Sequence, residues 1–162
     1  MFKFRWLVIL VLFLMAVRPG FADERAKLPG TWKLVSFERE FQETGAKEPL
    51  LGKNPNGYII FTPQGRFMVV ITGEGRMPPK TDQDRAILLN SMYAYTGMYR
   101  VEGDKFIVKV DVAWNPEWVG TDQERTFKIE GNHLHLFTKW AVSPNWPDKG
   151  MGRGVVTFER AK

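Results

Sequence analysis

The chain has 162 residues, 44% hydrophobic and 25% charged, and no cysteine. That is one domain's length of core-forming sequence, which excludes a disordered or collagen-like chain, a disulfide-stapled scaffold and a large multidomain enzyme. The formal net charge of +5 is concentrated at one end: Lys3, Arg5 and Arg18 lie in the first 22 residues with no acid, leaving 20 cations against 18 acids in the rest. That balance is too even for nucleic-acid binding through a basic face.

Lys3 and Arg5 precede an apolar run from Trp6 to Val17, and Arg18-Pro19-Gly20-Phe21-Ala22 follows. A cationic start, an apolar stretch of about 7–15 residues and a small-x-small ending are the parts of a cleavable export signal. Gly20 and Ala22 fit its small positions, so residues 1–22 are expected to be removed between Ala22 and Asp23. The mature chain is then periplasmic or secreted. A spanning helix needs about 20 apolar residues, more than this run holds, so no stable membrane insertion is expected after cleavage. Residues 23–162 are expected to form one barrel domain. With no disulfide available, its core alone must hold it, and a chain of that length is sufficient.

From residue 30 the apolar pattern is mostly of period 2, cut by Gly, Pro and Asn. Strands are expected over 31–37, 58–62 and 66–72, with Thr62-Pro63-Gln64-Gly65 as a hairpin turn. The loop over 42–56 is long enough to fold over an open end. Over 81–92 the character changes: Ala86, Leu88, Leu89 and Met92 recur at spacings of three and four, and Thr81 or Asp82 can cap the start. This predicts a short helix or helical lid. Strands resume over 97–101, 105–114, 123–129, 133–138 and 155–160, with turns at Glu102-Gly103-Asp104 and Glu130-Gly131-Asn132. The fold class is therefore all-β: an eight-stranded antiparallel up-and-down barrel with one short helical insert between strands 3 and 4. A two-sheet sandwich has the same strand count. A barrel of this size either fills with side chains or holds one small ligand.

Gly30-Thr31-Trp32 at the start of the first strand resembles the lipocalin signature. There the Trp plugs the closed end of the barrel and a basic residue of the last strand packs across it. Arg160 matches that residue by position, which makes Gly30, Trp32 and Arg160 the barrel-closing set. A guanidinium on an indole face gains roughly 0.5–2 kcal/mol. Further blocks resemble the lipocalin-like domain proteins of bacteria and fungi: Gly30-Thr31-Trp32-Lys33-Leu34-Val35-Ser36-Phe37, Asn56-Gly57-Tyr58-Ile59-Ile60-Phe61-Thr62-Pro63, Gly65-Arg66, Tyr93-Ala94-Tyr95-Thr96-Gly97-Met98-Tyr99 and Asn115-Pro116-Glu117-Trp118-Val119-Gly120-Thr121-Asp122-Gln123. Gln64 stands where that family often has an acid. The resemblance implies the fold and offers no shared catalytic residue. The opening also resembles the cytosolic fatty-acid-binding proteins, but those place two helices after the first strand. Here Gly45, Pro49, Gly52, Pro55 and Gly57 oppose helices in that stretch.

Alternation along 123–129 puts Gln123 and Arg125 on one face with Phe127 and Ile129. An inward Arg125 can take a carboxylate by a two-pronged hydrogen bond, or it can pair with an internal acid such as Asp111 or Asp122. Tyr93, Tyr95 and Tyr99 combine apolar rings with polar tips, which suits a pocket mouth as well as a core. Trp114 continues the face of Phe106, Val108, Val110 and Val112. Trp118 sits on a loop, and Trp140 and Trp146 lie near the last loop, so these four could ring a ligand entrance. Ligand-binding candidates are thus Arg125, Tyr93, Tyr95, Tyr99, Trp114 and Trp118. His133 and His135 share a face, but a metal site needs a third ligand, and they read as exposed; no metal and no cofactor is expected. No Gly-x-Ser-x-Gly, His-Glu-x-x-His or phosphate-binding loop is present. The expected function is non-catalytic binding of a small apolar or amphipathic molecule. The alternatives are a cofactor-free isomerase or cyclase in the same cavity, or a structural or partner-binding barrel with a filled interior.

Overall fold

The computed structural model describes residues 25–142 and 150–162. The leader expected over 1–22 and the expected place of Trp146 lie outside the described residues. The elements in chain order are β1 (Gly30–Phe41), β2 (Lys47–Pro49), β3 (Asn56–Phe61), β4 (Arg66–Thr72), α1 (Asp82–Asn90), β5 (Met92–Glu102), β6 (Lys105–Ala113), a 3-10 turn (Pro116–Trp118), β7 (Asp122–Glu130), β8 (His133–Phe137), β9 (Ala141–Val142) and β10 (Met151–Arg160).

Eight of the strands close a barrel. The ladder runs β1-β3-β4-β5-β6-β7-β8-β10 and returns to β1, which pairs antiparallel with both β3 and β10. Two short strands, β2 and β9, extend β1 and β10 at one end. Their brevity hid them in the sequence pattern. Closure of this kind removes the free sheet edges of an open sheet. Turn chemistry sets the hairpins: Gly65 has φ +89° and its N–H donates to the Thr62 carbonyl, 3.1 Å, so the β3–β4 turn needs a residue without a side chain there.

β1 carries a bulge. Leu34 lies opposite Phe158 and Ser36 opposite Thr157, leaving Val35 over. Trp32 and Leu34 point inward before it; after it the buried residues are Phe37 and Arg39. Strict alternation from Trp32 would have turned Arg39 outward. β6 carries a second bulge, at Asp111, because Gly97 faces Val110 while Thr96 faces Val112. The backbone presses so closely here that a Cβ on Gly97 would lie 2.0 Å from the Lys109 carbonyl oxygen. The bulge corrects the expected continuation of the inner face: Val112 is 63% exposed.

One end of the interior is a closed aromatic core. Trp32, Phe61, Phe67, Phe106 and Phe158 are fully buried. Phe61 meets Phe67 at 5.2 Å and Phe106 at 5.1 Å between ring centroids, both edge-to-face, the arrangement ring quadrupoles favour. Below them the Trp32 indole donates to the Leu28 carbonyl, 3.0 Å, and the Arg160 guanidinium lies 4.0 Å over its ring. Arg160 also donates to the carbonyls of Pro29 and Lys27. Gly30, at φ +138°, leaves the room: a Cβ there would meet Arg160 Nη1 at 2.6 Å.

Helix α1 lies between the third and fourth barrel strands, closed at its start by a capping box in which Thr81 and Asp84 bond each other's backbone N–H. None of its residues is buried, and Ile87 and Leu89 are about half exposed. The apolar spacing expected to seat Ala86, Leu88, Leu89 and Met92 does not dock it on the core. Met92 instead begins β5, so Tyr93 and Tyr95, outside the strand expected over 97–101, stand on a strand. The stretch over 42–56 contains no helix, and Leu51 from it is buried. It is held by Glu74, whose carboxylate accepts the Lys53 N–H at 2.9 Å and the Asn54 side-chain amide at 2.6 Å.

Candidate functional site

The other half of the barrel interior is open, with a cavity of about 300 Å³. That is at the lower end of the roughly 300–1,000 Å³ usual for small-molecule sites. β4 supplies Phe67, Val69 and Ile71 on alternate positions of one face. β5 supplies Tyr93 and Tyr95, β7 supplies Arg125, and the 3-10 turn brings in Trp118. Asn115 caps that turn through its side-chain oxygen, which accepts the Glu117 N–H at 3.1 Å, and Pro116 presets the backbone.

The rings at the mouth support one another. Trp118 lies 5.2 Å from Tyr95 and 4.8 Å from Trp114, and Tyr93 lies 5.0 Å from Trp114, all edge-to-face. Of the six candidates, Arg125, Tyr93, Tyr95 and Trp118 line the cavity. Trp114 stands behind them as a partly buried support for Tyr93 and Trp118 and does not line it. Tyr99 is a correction. It shares the inner face of β5, but four positions beyond Tyr95 are about 13 Å along a strand. It packs edge-to-face on Phe61 at 5.2 Å and donates its hydroxyl to the Thr62 carbonyl, 3.0 Å, in the closed half.

Arg125 has no ion-pair partner among the described residues. Its Nη1 donates to the neighbouring Glu124 carbonyl, 2.7 Å, and its Nη2 makes a long contact of 3.4 Å with Gln123 Oε1. The acids considered for it are engaged elsewhere: Asp111 binds Arg66, and Asp122 binds Arg100 at 3.3 Å and Lys109 at 3.8 Å. The Tyr93 and Tyr95 hydroxyls make no hydrogen bond to another described residue, and burial pushes both phenols above the ordinary tyrosine pKa while the Arg125 charge offsets part of the rise. The guanidinium therefore acts electrostatically on both phenols.

Sequence reasoning missed Arg39. The Val35 bulge turns it inward, where it is 3% exposed, lines the cavity and donates Nη2 to the Gly150 carbonyl at 2.9 Å. Gly152 on β10 makes space for it; a Cβ there would lie 2.6 Å from Arg39 Nε. The Gly-x-Gly spacing of Gly152 and Gly154 in a strand was the available signal, since glycine within a strand marks a close approach. Two further cations border the cavity with their charges engaged on acids. Arg153 binds Glu40 at 2.6 Å and lies over Phe137 and Trp140 at 4.8 and 4.6 Å, and Lys139 binds Glu124 at 2.9 Å. Trp140 thus covers Arg153 rather than lining the cavity.

No Asp or Glu among the described residues lines the cavity. Acid–base chemistry there would fall to Lys139, which is held by Glu124, or to Tyr93 and Tyr95, which their raised pKa values keep protonated at neutral pH. His135 Nδ1 lies 3.2 Å from Thr157 Oγ1 and its Nε2 lies 3.6 Å from Glu130, outside the cavity. Among the described residues no group of three or more His, Cys, Asp or Glu side chains could hold a metal. No helix among them is long and apolar enough to cross a membrane.

The model of a family described as a lipocalin-like domain matches residues 29–161. No curated protein matches the chain. Among solved structures, a crystal structure of a lipocalin-like protein from Bacteroides uniformis ATCC 8492 aligns at 12% identity and TM-score 0.43, over 83% of this chain and 98% of that one.

Proposed function

The chain belongs to the lipocalin-like domain family, and we propose that it is an exported, non-catalytic binding protein that holds one small, mostly apolar or amphipathic molecule in the open half of its barrel. The observation that carries this reading is the cavity of about 300 Å³, walled by apolar and aromatic side chains beside a fully packed core. A barrel with a filled interior would leave no such space. Affinity would come from burial of the ligand's apolar body, at about 25 cal/mol per Å². Arg125, with Tyr93 and Tyr95, would orient a polar end. The leader-like composition of residues 1–22 supports export and cleavage before Asp23.

Native mass spectrometry on the protein recovered from its producing cells tests the reading. The expected result is a protein mass beginning at Asp23 that carries a small molecule and loses it on denaturation. A precursor mass would remove the cleavage before Asp23. A cavity that stays empty, with no binding of any apolar dye, would remove the binding function.

A further inference from the structure

We infer that the occupant is a compact, ring-bearing organic anion, a carboxylate or sulfonate whose charge sits on Arg125. This rests on the reading of the cavity as a binding site and names the chemistry it selects. Three observations point the same way.

The first is the charge of the wall. Arg125 faces the cavity with no ion-pair partner, and no carboxylate among the described residues lines the wall. A partly desolvated wall magnifies the field of such a charge, so the space beside Arg125 favours an anion. Two other cations at its border, Arg153 and Lys139, already hold Glu40 and Glu124. A cationic ligand would be repelled, and a neutral one would bury Arg125 without an acid to face it. That burial of a charge without a counter-charge is costly.

The second is donor geometry. Arg125 keeps donors beyond the two hydrogen bonds to its own strand neighbours, and the Tyr93 and Tyr95 hydroxyls that share the cavity with it are uncommitted among the described residues. A guanidinium and two phenols lining one cavity are a donor set, matched to oxyanion acceptors.

The third is shape. Phe67 and Tyr95 lie 5.1 Å apart, Phe67 and Phe106 5.7 Å, and Tyr95 and Trp118 5.2 Å. A flat ring entering this cluster gains further edge contacts. The volume suits one or two fused rings rather than a long chain.

The test uses two fluorescent probes that differ by one group: naphthalene-2-sulfonate and its neutral analogue naphthalene. The readout is the ratio of their affinities for the full chain and its variants. In the unaltered protein the anion should bind about ten-fold more tightly, the scale of one charge-assisted hydrogen bond. R125Q should bring the ratio close to one, and R125K, which keeps the charge, should retain most of it. Thermal melts of both variants establish that they are folded. Equal affinity of the two probes for the unaltered protein, or a ratio that survives R125Q, would overturn the anion assignment while leaving the cavity as a binding site. Failure of both probes to bind would remove the binding reading itself.

Discussion

The two ends of this barrel each hold an arginine beside aromatic rings, and the two are used in opposite ways. At the closed end Arg160 lies 4.0 Å over Trp32 and donates to the carbonyls of Pro29 and Lys27. Its charge and its donors are spent within the protein. At the open end Arg125 shares the cavity wall with Tyr93 and Tyr95 but bonds only its own strand neighbours, and the acids within its reach in sequence are taken by other cations. The difference teaches how a small barrel divides its interior. A satisfied cation locks a plug, and an unsatisfied one leaves a place for something else.

The comparison can be broken most severely at the plug. Trp32→Ala removes a fully buried indole together with the surface on which Arg160 stacks, and should cost about 3–5 kcal/mol of stability, read as a lower midpoint in denaturant. Next come the two arginines against each other. Arg160→Ala loses a stacked cation and should cost about 1–2 kcal/mol, whereas Arg125→Ala should change stability by no more than about 0.5 kcal/mol. Equal losses in the two melts would end the distinction between a spent and an unspent arginine.

The smallest effect is spectroscopic. Burial raises the pKa of Tyr93 and Tyr95, and Arg125 holds part of that rise back; for Tyr99 the offsetting charge is Arg25 instead. A raised folded-state pKa means that the stabilisation tied to the neutral phenols is fully present below the unfolded pKa of about 10. It is lost as pH rises through the folded values. Arg125→Gln should therefore move the onset of phenolate absorbance of Tyr93 and Tyr95 to higher pH and leave Tyr99 in place. An unchanged titration would show that Arg125 does not face these rings.

Much of the frame was legible in the chain. Alternation and turn residues locate the eight barrel strands, and the resemblance to the lipocalin signature implied the pairing of Trp32 with Arg160, whose guanidinium lies 4.0 Å over the indole. Within the candidate site, alternation along 123–129 placed Arg125 on the inner face of β7, where it lines the cavity, whereas Tyr95 lay outside the strand expected over 97–101 and stands on β5 because that strand begins at Met92. The site was not legible where a bulge changes the phase. Val35 is one residue too many on β1, and that single residue moves Arg39 from the outer face that strict alternation from Trp32 would give it to the cavity wall. Asp111 does the same on β6 and turns Val112 to solvent. Period 2 tells which residues share a face, and only the register with the partner strand tells where the face changes. Tyr99 failed for another reason: a shared face says nothing of distance along the strand, and its hydroxyl closes onto Thr62.

The plug has a consequence for the order of events during folding. Arg160 meets the Pro29 carbonyl across 131 positions of sequence, and the ladder is complete only when β10 docks on β1. Closing so long a span is entropically slow. Until it happens, both of those strands present bare edges to any other chain nearby. The cation over the Trp32 ring can therefore be set only when that seam shuts, so the environment of this one indole is a clock for the moment at which the sheet ceases to have edges.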